Sequence, residues 1–306
     1  RTDKYEQPET DFPTDVRTMA LQGDTLWIGS LNGLYTYQLN TKKLASLDSK
    51  SNGLPHHTIY SIIRTTDNQI YVGTYNGLCR YIEESGKFEN ISLPVNRSVS
   101  NLFVNSLLED TSRQCIWIGM EGSLFQYTPA TGLMKPIDAF HNNSIKSLAL
   151  DGDGNLLAGT DNGLYVYQND NGTLQHIVHD SRNIQSLTNN IIWNIFSDQE
   201  HNIWLGTDYG ISLSRYNSAL QFVPISQITG TGDGNQFYSL FRDSKGFYWF
   251  GGTNGVIRFT HPAGNKHDAI WYRMGDKNYP LSHNRIRHIY EDREQQLWIA
   301  TDGSIN

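Results

Sequence analysis

Seven positions in this chain carry side chains suited to gripping a polar ligand, and each directly follows the apolar residue that opens a predicted strand. They are Arg17, Tyr60, Asn105, Lys146, Trp193, Tyr238 and Arg287, placed after Val16, Ile59, Val104, Ile145, Ile192, Phe237 and Ile286. Aromatic rings stack on the apolar faces of sugars, while Arg, Lys and Asn donate to hydroxyls or carboxylates. Three cations among the seven point to an acidic sugar. His57, Tyr209 and Arg285 lie in adjoining loops and complete the ligand-binding set. Around them fall the turn and loop residues Tyr75, Asn76, Glu121, Asp161, Asn162, Asp208, Thr253, Asn254, Asp302, His56, Asn142, Asn235 and His283. Most of the Asn and Asp here also suit a plainer role, because they tolerate left-handed backbone and cap their own turns. The seven positions have a plain alternative as well, in which their side chains fill a channel or pair with one another.

Other chemistries find less support. A paired-carboxylate mechanism would draw on Glu121, Asp161, Asp208 and Asp302, yet other copies of the same turns carry Leu31-Asn32 and Thr253-Asn254. Asp151-Gly152-Asp153-Gly154-Asn155 has the alternating oxygens of a calcium loop without the downstream Glu, and it falls where a hairpin turn is expected. His56-His57 has no third ligand at metal-binding spacing, and no Gly-x-Ser-x-Gly elbow or phosphate-binding loop occurs. No catalytic residue, metal or cofactor is expected.

The elements that position these residues are set by a repeat. An apolar-Trp-apolar-Gly-Thr-x-x-Gly-apolar phrase recurs seven times, as in Leu26-Trp27-Ile28-Gly29-Ser30, Ile203-Trp204-Leu205-Gly206-Thr207 and Leu297-Trp298-Ile299-Ala300-Thr301, at intervals of 40 to 49 residues. Each phrase follows an apolar-x-x-apolar strand and a polar turn, and precedes a Gly-Leu-x-x-Tyr strand and often a fourth such as Lys87-Phe88-Glu89-Asn90-Ile91. This predicts an all-β chain, one seven-bladed β-propeller with four-stranded antiparallel blades. Blade cores are expected at about 16–48, 58–93, 103–138, 144–178, 191–226, 236–275 and 286–306. Lys4-Tyr5-Glu6-Gln7 resembles a fourth-strand phrase, which would let the N-terminus complete the last blade or belong to a preceding one. The motif residues Trp27, Trp117, Trp204, Trp249 and Trp298 recur at a framework position and are expected to pack between blades.

Composition narrows the partners. Tyr (17), Trp (7) and Gly (27) are plentiful, which suits short strands and tight turns. A formal charge of -7 with no basic run argues against nucleic acid and anionic membranes. Cys79 and Cys115 alone cannot form a disulfide framework, and their oxidation state stays open. There is no apolar run of membrane-spanning length and no signal-peptide layout at Arg1-Thr2-Asp3-Lys4, so any export or anchoring segment is expected outside this sequence.

The phrase Ile-x-x-Asp-x-x-Gly-x-Leu-Trp-Ile-Gly-Thr-x-x-Gly-Leu-x-x-Tyr resembles the two-component regulator propeller repeat, with good copies at 195–207 and 240–252 and similarity over 16–306. Leu157, Ala300, Ser123 and Ser304 depart from it. The resemblance implies the periplasmic sensor of a hybrid two-component regulator of Bacteroidetes, the ectodomain of an inner-membrane protein whose histidine kinase controls transcription. It implies an oligosaccharide ligand, and as partners a second propeller and a small β-domain of the same parent chain, with a homodimer compatible. A structural or protein-docking propeller is the alternative, and a propeller lyase or glycosidase a more distant one.

Overall fold

The computed structural model describes residues 11–47, 52–94, 102–140, 143–168, 170–226, 235–260 and 268–306. These contain 26 β-strands and one short 3-10 turn, Asp138–Phe140. Six sheets hold four strands each in sequence order, antiparallel throughout, and span 16–47, 59–91, 104–136, 145–177, 192–224 and 237–272. Every second strand is buried at nearly all positions, for example Ile70–Thr74, Leu156–Thr160 and Ile203–Thr207. Packing on both faces explains why these strands are apolar at successive positions instead of alternating.

The chain forms an all-β propeller with four-stranded blades, but the described residues make six blades and not the seven expected. The seventh copy of the phrase yields a two-stranded sheet, Ile286–Glu291 with Leu297–Thr301. Ser304–Asn306 add a bridge, Ala300 to Ile305, a reciprocal pair of backbone bonds between Ile299 and Asn306, and a bond from Thr301 N to Ser304 O, without forming a third strand. The miscount has a physical cause: the Trp-Gly phrase marks a second strand, and a blade needs a third and fourth beside it. Lys4–Gln7, considered as an outer strand, lies outside the described residues.

Two compact units are distinguished, residues 15–148 and residues 149–306 with 11–14. In the first, the core runs between blades one and two (Trp27, Ile59, Ile70, Phe88) and between blades two and three (Tyr71, Val104, Ile118, Phe125). In the second, it runs between blades four and five (Leu157, Ile192, Leu205, Phe222), five and six (Trp204, Phe237, Phe250, Phe259), and six and the last hairpin (Trp249, Tyr272, Ile286, Ile289). Phe12 packs edge-on to Trp298, ring centres 6.1 Å apart.

The framework residues of the repeat have distinct tasks. The motif glycine lets the next blade approach: a Cβ on Gly119 would sit 2.6 Å from Ile145 Cγ2, and one on Gly251 2.5 Å from Ile286 Cγ2. The motif tryptophans are held through their indole N–H, which donates to Asp110 from Trp117, to Asp198 from Trp204, to Asp243 from Trp249 and to Asp292 from Trp298, at 2.8 to 3.1 Å. The threonine after the glycine closes the next turn, as Thr207 Oγ1 donating to Gly210 O and Thr74 Oγ1 to Gly77 O, both 2.9 Å. Backbone bonds then tie each turn to strand ends: Asp208 N donates to Ile191 O, Asp302 N to Arg285 O, and Gly210 N to Asn235 O at the start of the following blade.

Candidate functional site

All seven sequence-selected positions are half-buried, each directly after a fully buried residue. Their setting is a β-bulge that the sequence did not disclose. Pairing between first and second strands slips between Val16 and Thr18, Ile59 and Ser61, Ile192 and Asn194, Phe237 and Ser239, and Ile286 and His288. In blade three the slip falls opposite Met120, around Asn105. The extra residue in each bulge is Arg17, Tyr60, Asn105, Trp193, Tyr238 or Arg287. A bulge leaves that residue out of the ladder and turns its side chain away from the regular alternation, which frees it from blade packing.

In residues 149–306 the bulge residues of blade five, blade six and the last hairpin come together. Trp193 and Tyr238 meet edge-on with ring centres 5.4 Å apart, and the Arg287 guanidinium lies 4.9 Å from the Tyr238 ring centre. Two turn carboxylates hold the group in place. Asp208 Oδ1 accepts from Trp193 Nε1 at 3.0 Å and from Gln236 Nε2 at 2.6 Å, while Tyr238 donates its hydroxyl to Gln236 Oε1. Asp302 takes the Arg287 fork, Nε to Oδ1 at 2.6 Å and an Nη to Oδ2 at 3.2 Å, with Arg285 3.6 Å away. Burial raises the Tyr238 hydroxyl above its usual value, with Arg287 and Arg285 opposing. Two arginines face two aspartates, so the cluster is balanced in charge.

In residues 15–148 the arrangement is aromatic. Tyr60 stands edge-on to Phe103 at 4.1 Å, Tyr75 lies 5.5 Å from Phe103, and His56 bridges Tyr75 at 5.3 Å to a stacked His57 at 4.3 Å. Burial raises the Tyr60 hydroxyl, and the nearby Arg17 charge opposes it. Burial, with His57 adding to it, lowers the His56 pKa. Asn105 and Lys146 occupy the corresponding positions in blades three and four.

Thus Trp193, Tyr238, Arg287 and Arg285 are brought into one cluster, Arg17 and Tyr60 lie near one another, and His57 reaches that group through His56. Tyr209 is 54% exposed and its backbone caps Thr207, outside the cluster. Asn142 lies outside the described residues. Gln236 and Phe103 were missed by sequence reasoning. A signal existed: both stand one residue before the first apolar residue of strand one, the position of Arg285.

Three of the four carboxylates considered for catalysis are engaged elsewhere. Asp208 and Asp302 orient the cluster, and Glu121 accepts from Ser144 Oγ at 2.6 Å. Asp151 spends its oxygens on Asp153 N, Asn155 N and Asn155 Nδ2, the same bonds Asp198 makes in its own turn. Among the described residues no group of three or more His, Cys, Asp or Glu is placed to hold a metal ion.

A propeller whose repeats present bulge side chains beside turn carboxylates defines a class of repeat scaffold. The model of the two component regulator propeller matches residues 53–76, 186–209, 231–254 and 280–303. The chain belongs to the two-component regulator propeller family. It is 84% identical to the extracellular domain of the hybrid two component system BT4673 from B. thetaiotaomicron, over 99% of this chain and 41% of that one, with a TM-score of 0.68. The corresponding domain of BT3049 from the same organism aligns over 95% of this chain and 39% of that one at 20% identity and TM-score 0.79. Histidine kinase P4 of Formosa agariphila is 30% identical over 278 residues, 80% of this chain and 19% of the kinase. The chain therefore spans less than half of these relatives, and like the two B. thetaiotaomicron domains it is extracellular, periplasmic sequence. No helix among the described residues is long and apolar enough to cross a membrane. A streptogramin B lyase shares the fold at 14% identity, over 98% of this chain and 95% of that one, with a TM-score of 0.72.

Proposed function

We propose that this propeller senses an oligosaccharide through the bulge cluster of Trp193, Tyr238, Arg287 and Arg285, and that occupancy is relayed to a histidine kinase in the same parent protein. The observation that carries this reading is the cluster itself: two aromatic rings and a guanidinium, half-buried, freed from the ladder by bulges and oriented by Asp208 and Asp302. Oriented aromatics with carboxylate acceptors and guanidinium donors suit a sugar, whose ring has an apolar face and a hydroxyl rim. The acidic sugar inferred from a count of cations gives way to a neutral one, because Arg287 already has its counter-charge in Asp302. The role is binding, and the relay works by shifting the propeller against neighbouring domains, a second propeller and a small β-domain among them, or against a second protomer.

The test is a thermal-shift screen of this chain and of the full ectodomain against neutral and acidic oligosaccharides. Ligand at 100 times its Kd stabilises the folded state by about 2.7 kcal/mol. A shift that disappears in Trp193→Ala supports the cluster as the site. A second reading rests on one observation, that the cluster's polar groups already satisfy one another, as in a structural or protein-docking face. Absence of any response in both proteins would favour that reading.

A further inference from the structure

We infer that the flank between blades four and five carries a second saccharide site, centred on Tyr216. It is a cavity of about 360 Å³ between the first hairpin turn of blade four (151–155) and the connection from Gly210–Ser214 to Phe222–Pro224 in blade five. None of its lining residues belongs to the bulge cluster.

The repeat supplies its own control for this segment. Among the described residues, the same connection in blades one to four has one left-handed residue each, Lys42, Gly86, Gly132 and Gly172. In blade five Asn217, Ala219 and Leu220 all have positive φ, at 62°, 52° and 56°. A left-handed Leu carries a steric cost, offset here by packing of Leu220 against the core between blades four and five. Its effect here is to present Tyr216, 43% exposed, over the cavity.

Tyr216 is held as a platform. Its backbone N donates to Asn202 Oδ1 at 3.1 Å, its hydroxyl donates to Asp153 Oδ1 at 3.3 Å, and its ring lies 5.4 Å from that of His201. The Asp153 charge raises the pKa of the hydroxyl. The ring also rests on Gly152, where a Cβ would meet Tyr216 Cε2 at 2.8 Å. Blades five and six carry Gln199 and Ser244 at that point of the turn.

The lining chemistry selects the ligand class. Asp151 has its oxygens committed to its own turn, which leaves Asp153 as one carboxylate, too few for a calcium site. The same two aspartates disfavour an anion. Asp153, Gln175, Arg215 and Ser218 line the cavity as acceptors and donors around the exposed face of Tyr216. An aromatic platform with a polar rim in a space this size fits one or two neutral pyranose rings.

The test uses saturation-transfer NMR and calorimetry with maltose, cellobiose, xylobiose and galacturonic acid. It is run in the Trp193→Ala chain so that recognition at the bulge cluster does not contribute. At least one neutral disaccharide is expected to bind. Adding Tyr216→Ala should weaken it by tenfold or more, about one decade in Kd, whereas Tyr216→Phe keeps the stacking face and most of the affinity. The inference is overturned if no neutral disaccharide binds, if Tyr216→Ala leaves affinity unchanged, or if galacturonic acid binds more tightly than the neutral sugars. The bulge cluster is tested separately in the Tyr216→Ala chain, where adding Trp193→Ala should abolish the remaining response to oligosaccharide, so failure of one site is distinguishable from failure of the other.

Discussion

Asp198 shows how much one framework side chain holds. It is buried, and it accepts from Glu200 N, Asn202 N, Asn202 Nδ2, Trp204 Nε1 and Tyr248 OH, so its turn, its own blade's second strand and the next blade all depend on it. Asp198→Ala would strand several buried donors at once, and we expect a loss of about 2–4 kcal/mol in urea unfolding. A loss below about 1 kcal/mol would mean that water replaces the carboxylate. His288 makes the second case. Its Nδ1 is buried with no partner, and burial lowers its pKa to about 4. The unfolded chain takes up this proton near pH 6.5 and the folded chain only near 4, so stability is whole above pH 6.5 and falls as pH drops through that window. The full shift corresponds to at most about 3.4 kcal/mol, reduced because the residue is only partly buried. Unfolding at pH 7 and pH 4.5 should show a smaller acid penalty in His288→Phe than in the parent; equal penalties would remove His288 as the cause.

Bulges separate two kinds of tryptophan that look alike by composition. Trp204 lies inside a regular strand, wholly buried against Tyr248 and Phe250. Trp193 sits on a bulge and is half-buried. We expect Trp204→Ala to cost about 3–5 kcal/mol and Trp193→Ala much less, with its main effect on ligand response. Equal costs would mark Trp193 as framework. The bulges also couple neighbouring blades through side chains. A double-mutant cycle on Tyr238 and Arg287 should show a coupling of about 0.5–2 kcal/mol, and a value near zero would mean that Arg287 is positioned by Asp302 alone.

For the molecule as a whole, Cys79 and Cys115 provide a reporter. Both are buried thiols in residues 15–148, and burial raises both pKa values. Iodoacetamide should label neither in the native chain and both in urea, since the thiolate is the reactive form. In a Trp27→Phe, Trp117→Phe chain, whose remaining tryptophans all lie in residues 149–306, labelling before the tryptophan emission changes would show that residues 15–148 open independently of residues 149–306. Simultaneous change would show a single cooperative transition.

Strand pairing, hairpin turns, the buried tryptophans and the motif glycine were legible in the sequence because each is a local requirement repeated at a fixed interval, and repetition exposes framework positions against variable ones. The bulge positions were legible as a column of varied polar and aromatic residues, though not as bulges, since register slips depend on what lies across the ladder. Only the tertiary structure decided that six blades form, because pairing of third and fourth strands is what makes a blade. It alone joined Arg287 to Asp302 and Trp193 to Asp208. It also set Tyr216 against Asp153, 63 residues away, through a glycine and a strained connection whose meaning lies in what the neighbouring blade brings to them.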